Sequence, residues 1–150
     1  MIEATIKPVE ILLVEDNPGD VFLTKNAFSE TKIKNNISVA KDGEEAMDYL
    51  HKRNGFENAI TPDLLLLDLN MPKKDGREVL EEIKADEVLR HIPVVIMTSS
   101  KAEKDVIKTY DLHANSYIIK PVDLKQFSEA VNAIENFWFS IVTPLKQSEE

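Results

Sequence analysis

No cysteine occurs in these 150 residues, which excludes disulfides, thiolate metal sites and a cysteine nucleophile, and suits a reducing compartment. No run of about 18 apolar residues occurs either, and Met1 to Pro8 lack the basic region and apolar stretch of an export signal. The chain is expected to be soluble and cytoplasmic. Positive charge is in deficit: 18 Lys and Arg stand against 27 Asp and Glu, a formal charge of −9. That balance opposes the phosphate contacts that dominate nucleic-acid affinity, and it repels anionic lipid. Neither nucleic acid nor membrane is an expected partner. Repeats, low-complexity runs and a second domain are also missing, so one hydrophobic core is expected, burying roughly two-thirds of the unfolded surface.

What is present is an alternation of short apolar runs with amphipathic segments, the pattern of repeated βα units around a parallel sheet. Five strands are predicted: Ile11 to Val14, Ile37 to Ala40, Leu64 to Asp68, Val94 to Thr98 and Tyr117 to Ile119. Asn17 and Pro18 open the first helix, which is expected to bury Val21, Phe22, Ala27 and Phe28. A second helix spans about Gly43 to Lys52, with Ala46, Tyr49 and Leu50 inward. Arg53 to Pro62 reads as a long loop. Asn70 to Gly76 is a turn into a helix that buries Val79, Leu80 and Ile83. Ser100 and Glu103 form a capping box for a fourth helix, and Asp123 and Gln126 another for the last one.

The strand ends carry the chemistry. Glu15 and Asp16 follow the first strand, Asp68 closes the third, Thr98 the fourth, and Lys120-Pro121 follow the fifth. Taken singly each has a plain reading: a strand-end Asp as a turn or cap, Lys120 as a solvated head, Thr98 and Tyr117 as packed β residues. In a doubly wound five-stranded parallel sheet of order 2-1-3-4-5, however, all of them meet at the carboxyl edge beside the topological switch point. Three clustered carboxylates repel, and a hard cation resolves the conflict. Asp16 and Asp68 are the expected direct ligands of Mg²⁺. Glu15 joins directly or through water, the Asn70 backbone carbonyl completes the set, and Mn²⁺ is an acceptable substitute. An aspartate held there can accept a phosphoryl group, with Lys120 offsetting charge and Thr98 donating a hydrogen bond to the product. His51, His91 and His113 show no metal-site spacing, and none is an expected phosphodonor.

Leu-Leu-Val-Glu-Asp-Asn from Leu12, Leu-Leu-Leu-Leu-Asp-Leu-Asn-Met-Pro-Lys-Lys-Asp-Gly from Leu64, Val-Val-Ile-Met-Thr-Ser-Ser from Val94 and Tyr-Ile-Ile-Lys-Pro from Tyr117 together resemble the receiver domain of two-component response regulators. The resemblance implies a flavodoxin-like fold over residues 9–143, after an extension at 1–8 and before a polar tail at 144–150. It also implies phosphoryl transfer from the phosphohistidine of a sensor histidine kinase, and slow self-dephosphorylation. It makes Asp68 the phosphoacceptor, Glu15 and Asp16 the acidic pair, Thr98 and Tyr117 the switch pair and Lys120 the phosphate-contacting lysine. Asn70 and Ser100 then tune dephosphorylation, and a cis bond precedes Pro121. Within the family the chain is similar to stand-alone regulators associated with bacterial and cyanobacterial phytochromes, through Asn17-Pro-Gly-Asp20, the loop from His51 and Phe137-Trp-Phe139. His113 departs from the glycine common at its position.

Three rival readings meet features of the sequence that oppose them. An Mg²⁺-dependent aspartyl-phosphate phosphohydrolase needs a second acid two residues after the nucleophile, where this chain has Asn70. A flavodoxin-like FMN protein needs free N–H groups where Glu15, Asp16 and Asp20 stand. A scaffolding pseudo-receiver would not need the full polar set. The last helix carries more apolar surface than one buried stripe requires, at Phe137, Trp138, Phe139 and Ile141, which points to a homodimer or partner face.

Overall fold

The computed structural model describes residues 8–31, 34–69, 71, 73–99 and 116–132. Expectations at Asn70, Ser100, His113, Phe137, Trp138, Phe139 and Ile141, the Ser100–Glu103 helix start and both chain ends lie outside them. Five strands, β1 (Val9–Val14), β2 (Asn35–Ala40), β3 (Leu64–Asp68), β4 (Val94–Thr98) and β5 (Ser116–Ile119), form one sheet of order β2-β1-β3-β4-β5. Every pairing is parallel. The described helices are α1 (Pro18–Ser29), α2 (Gly43–Leu50), α3 (Gly76–Ala85) and α4 (Leu124–Asn132), with a 3₁₀ turn at Leu89–His91.

β3 and β4 are buried at every residue because helices cover both faces of the sheet. Leu12, Val14, Leu65, Leu67, Val94 and Ile96 pack against Ala46, Met47 and Leu50 of α2 and Val79, Leu80 and Ile83 of α3. The alternate residues Ile11, Leu13, Leu64, Leu66, Val95 and Met97 pack on the opposite side with Phe28 and Phe127. Those two rings, from α1 and α4, meet edge to face with centroids 4.4 Å apart, a contact worth about 0.5–1.5 kcal/mol beyond burial.

Local differences from the sequence reading have physical causes. Phe22 is 67% exposed, and Thr24 is buried in its place. The two lie about 200° apart around the helix, so α1 cannot turn both inward. Thr24 tolerates burial because its hydroxyl donates to the Asp20 carbonyl at 2.8 Å. α2 stops at Leu50, short of Lys52, because Lys52 and Asn54 adopt positive φ of 56° and 53°. The loop beyond is folded back on α2: Arg53 and Asn54 donate to Asp48 at 2.8 and 3.0 Å, and Phe56 lies 5.6 Å from Tyr49. β1 and β2 each begin two residues earlier than the apolar runs alone suggest.

α3 starts unusually close to the end of β3. The Asp75 carboxylate caps it by accepting from Glu78 N–H at 3.0 Å. A Cβ on Gly76 would fall 2.6 Å from the Asp68 carbonyl oxygen. Glycine at that position is thus what allows α3 and the end of β3 to touch.

Candidate functional site: an acidic, lysine-bridged sheet edge

Register brings the strand ends level. Val14 pairs with Leu67, Asp68 with Met97 and Thr98 with Ile119, so Glu15, Asp68, Thr98 and Lys120 step across one edge of the sheet. Glu15 continues the ladder by donating its N–H to the Ala40 carbonyl at 3.0 Å, and the Lys120 N–H donates to the Thr98 carbonyl at 2.8 Å. Glu15, Asp68 and Thr98 are 2%, 4% and 1% exposed, whereas Asp16 faces solvent.

Lys120 ties the edge together. Its ammonium lies 2.6 Å from Glu15 Oε1, 3.1 Å from Asp68 Oδ2 and 3.2 Å from Asp20 Oδ2. Burial drives the Glu15 pKa upward, the Lys120 contact pulls it back and neighbouring Asp68 adds to the rise, leaving it near 7 instead of 4.5. For Lys120 burial acts downward, but its contacts with Glu15 and Asp68 prevail and raise it above the ordinary lysine value.

One carboxylate oxygen from each of Glu15, Asp16 and Asp68 lies within 4.8 Å of the others. Glu15 Oε2 accepts from the Asn17 N–H at 3.2 Å, but buried Oε1 has no aligned hydrogen-bond donor among the described residues, only the ion pair with Lys120. An all-oxygen, net-negative set with an under-satisfied inner oxygen fits a hard divalent cation. Within the acidic pair Glu15 is the enclosed member and Asp16 the solvent-facing one.

Thr98 and Tyr117 are on the same face of the sheet, since Tyr117 pairs with Ile96, two residues before Thr98. Tyr117 is half-buried against the cluster under α2 and α3. The Lys120–Pro121 bond is cis. Asn70 and Ser100, at the rim by sequence, lie outside the described residues.

Two contributors were not legible beforehand. Asp20 reads as part of a helix opening, yet from the first turn of α1 its carboxylate reaches the Lys120 ammonium at 3.2 Å. Gln126 occupies a capping-box position, and its N–H does donate to Asp123 Oδ1 at 2.8 Å. Its side chain, however, turns to the backbone of β5, with Oε1 accepting from Ile119 N–H at 3.0 Å and Nε2 donating to the carbonyls of Ile119 and Pro121 at 2.8 and 3.1 Å.

A 2-1-3-4-5 parallel sheet whose carboxyl edge joins an acidic trio, a buried threonine and a bridging lysine defines a class of α/β signalling module. The chain belongs to the response regulator receiver domain family, which matches residues 11–132. It is 44% identical over 143 residues to Response regulator Rcp1 of Synechocystis sp., spanning 95% of this chain and 97% of that protein. The Mn²⁺-bound form of Rcp1 superposes with a TM-score of 0.70, at 46% identity over 87% of this chain and 94% of that one. The bacteriophytochrome response regulator AtBRR gives a TM-score of 0.83 at 44% identity, covering 88% and 96% of the two chains. The phosphorylated cyanobacterial phytochrome response regulator RcpA gives 0.72 at 47%, covering 89% and 96%. This protein is therefore a response regulator of two-component signalling. No described helix is long and apolar enough to cross a membrane.

Proposed function

We propose that Asp68 accepts a phosphoryl group from the phosphohistidine of a sensor histidine kinase, and that the phosphorylated form signals by binding another protein. The observation that carries this reading is the Lys120 ammonium 3.1 Å from Asp68 Oδ2 beside two further acids. Glu15, Asp16, Asp68 and the Asn70 carbonyl would hold Mg²⁺, with Mn²⁺ as a substitute. When bound, the cation offsets charge on the carboxylates and on the incoming phosphoryl oxygens.

The steps assigned to the chain are simple. An Asp68 carboxylate oxygen forms the new P–O bond as the donor's N–P bond breaks, and the departing imidazole keeps the N–P electron pair and takes up a proton. Lys120 shifts its ammonium from carboxylates to phosphoryl oxygens, and Thr98 donates its hydroxyl to one of them. Movement of Thr98 then frees space on the sheet face that Tyr117 shares, converting a local charge into a surface change. Water returns the group as phosphate, at a rate tuned by Asn70 and Ser100.

The hydrolase reading loses ground because Asn70 replaces the second acid. A phytochrome as the cognate kinase is supported by the names of AtBRR and RcpA, and a cytoplasmic location by the absence of cysteine. The dimer reading rests on Phe137, Trp138, Phe139 and Ile141 of the sequence. Incubation with Mg²⁺ and acetyl phosphate, followed by intact mass, tests the central step. One added phosphoryl group, lost in Asp68→Asn, supports it; rapid release of phosphate from varied monoesters supports the hydrolase. Sedimentation of the wild type against Phe139→Glu tests the dimer, and equal monomeric masses for both would end that proposal.

A further inference from the structure

β5 is the last strand of the sheet, so among the described residues one of its sides has no neighbouring strand. On the inner side the Lys120 N–H is bonded to Thr98. The peptide groups that alternate with it, the Ile119 N–H and carbonyl, point the other way and would be left to water or buried unpaired. Gln126 satisfies both with its side-chain amide, as a strand's peptide would, and its second N–H bond reaches the Pro121 carbonyl. The backbone is therefore held immediately before and immediately after Lys120 by one side chain from the first turn of α4.

We infer that Gln126 is a positioning residue for Lys120: its amide fixes the backbone on both sides of the lysine and so aims the ammonium at Asp68. This rests on the proposed phosphoryl chemistry but names a role that chemistry alone does not assign. It also gives α4 a direct mechanical link to Thr98, through Ile119 and the Lys120 N–H. An amide that only completed a sheet edge would add stability without any specific connection to the lysine.

Gln126→Met keeps the side-chain length and removes the three bonds to the backbone, together with a longer one from Nε2 to Asp123 Oδ2 at 3.4 Å. Gln126→Glu keeps only the acceptor for the Ile119 N–H, and it stands in if the first variant fails to fold. At saturating Mg²⁺, labelling by acetyl phosphate is expected to slow at least about tenfold, since misplacement of a positioned group by an ångström can cost more than that. Mg²⁺ affinity should stay within about twofold, and Lys125→Met, on the exposed side of the same turn, should match wild type. In a Lys120→Ala background the Gln126 substitution should slow labelling no further. Equal slowing in both backgrounds, no slowing at all, or a parallel loss of Mg²⁺ affinity would overturn the inference. An arm without phosphodonor keeps it separate from the functional reading: the Lys120 Cε and Nζ resonances should shift in Gln126→Met but not in Lys125→Met. Unshifted resonances reject the positioning role; a wild type that takes no label rejects the phosphoacceptor reading.

Discussion

Two aspartates in this molecule are equally buried, at 4% exposure, and each has a lysine nearby, yet their surroundings give them opposite roles. Asp42 stands at the start of α2, where Oδ1 accepts from the Glu45 N–H at 2.8 Å and Oδ2 lies 3.7 Å from the well-exposed Lys73. Its charge is settled by a helix N-terminus and needs nothing more. Asp68 ends a fully buried strand, and its lysine is shared with Glu15 and Asp20. Burial beside a lysine is common to both. What distinguishes a candidate reactive carboxylate is that several acids converge on one lysine among the described residues.

The largest test of that contrast is chemical. Asp68→Asn should abolish labelling by acetyl phosphate in intact-mass experiments, while Asp42→Ala should label at close to the wild-type rate. Label appearing on the Asp68→Asn protein would break the comparison. The lysines come next: Lys120→Ala is expected to slow labelling by about 10²-fold, the scale of losing one preorganised charge partner, and Lys73→Ala by less than about twofold.

A third test uses pH. Glu15 titrates near 7 in the fold against 4.5 when unperturbed, so between those values the folded state binds more protons than the unfolded chain. Its contribution to stability is present below about pH 4.5 and is lost as pH rises through about 7. Thermal melts in EDTA should show that decline, and Glu15→Gln should flatten it. Mg²⁺ should offset it by favouring the ionised carboxylate. An unchanged slope in Glu15→Gln would assign the decline elsewhere. The smallest effect is structural: Asp42→Ala should cost about 0.5–2 kcal/mol in urea unfolding, the value of a lost helix cap.

Legibility in the sequence followed the physics of each element. β3 and β4 were readable end to end because helices cover both faces and force continuous apolar runs bounded by polar residues, whereas Glu10 interrupts β1 and hid its first two residues. β2 was foreshortened because it is an edge strand, where Asn35 and Asn36 are tolerated. Phe22 misled because apolar identity was counted without its angular position on α1. Asp20 and Gln126 escaped because their partners, Lys120 and Ile119, are 100 and 7 residues away. No helix period or capping rule links either pair, and a side chain's alternative bonds appear only when the chain has folded.

Residue type and order alone determined the class of this molecule: five apolar runs with acids, a hydroxyl and a lysine at their carboxyl ends admit few other arrangements, because parallel strands must be covered on both faces. Tertiary structure decided how the charges are apportioned. It enclosed Glu15 and left Asp16 in solvent, gave Lys120 a third carboxylate, and turned Gln126 from a cap into a clamp on the sheet edge. Those outcomes depend on register and helix placement to within an ångström or so, since hydrogen bonds and ion pairs are short-ranged, and linear spacing carries no such information.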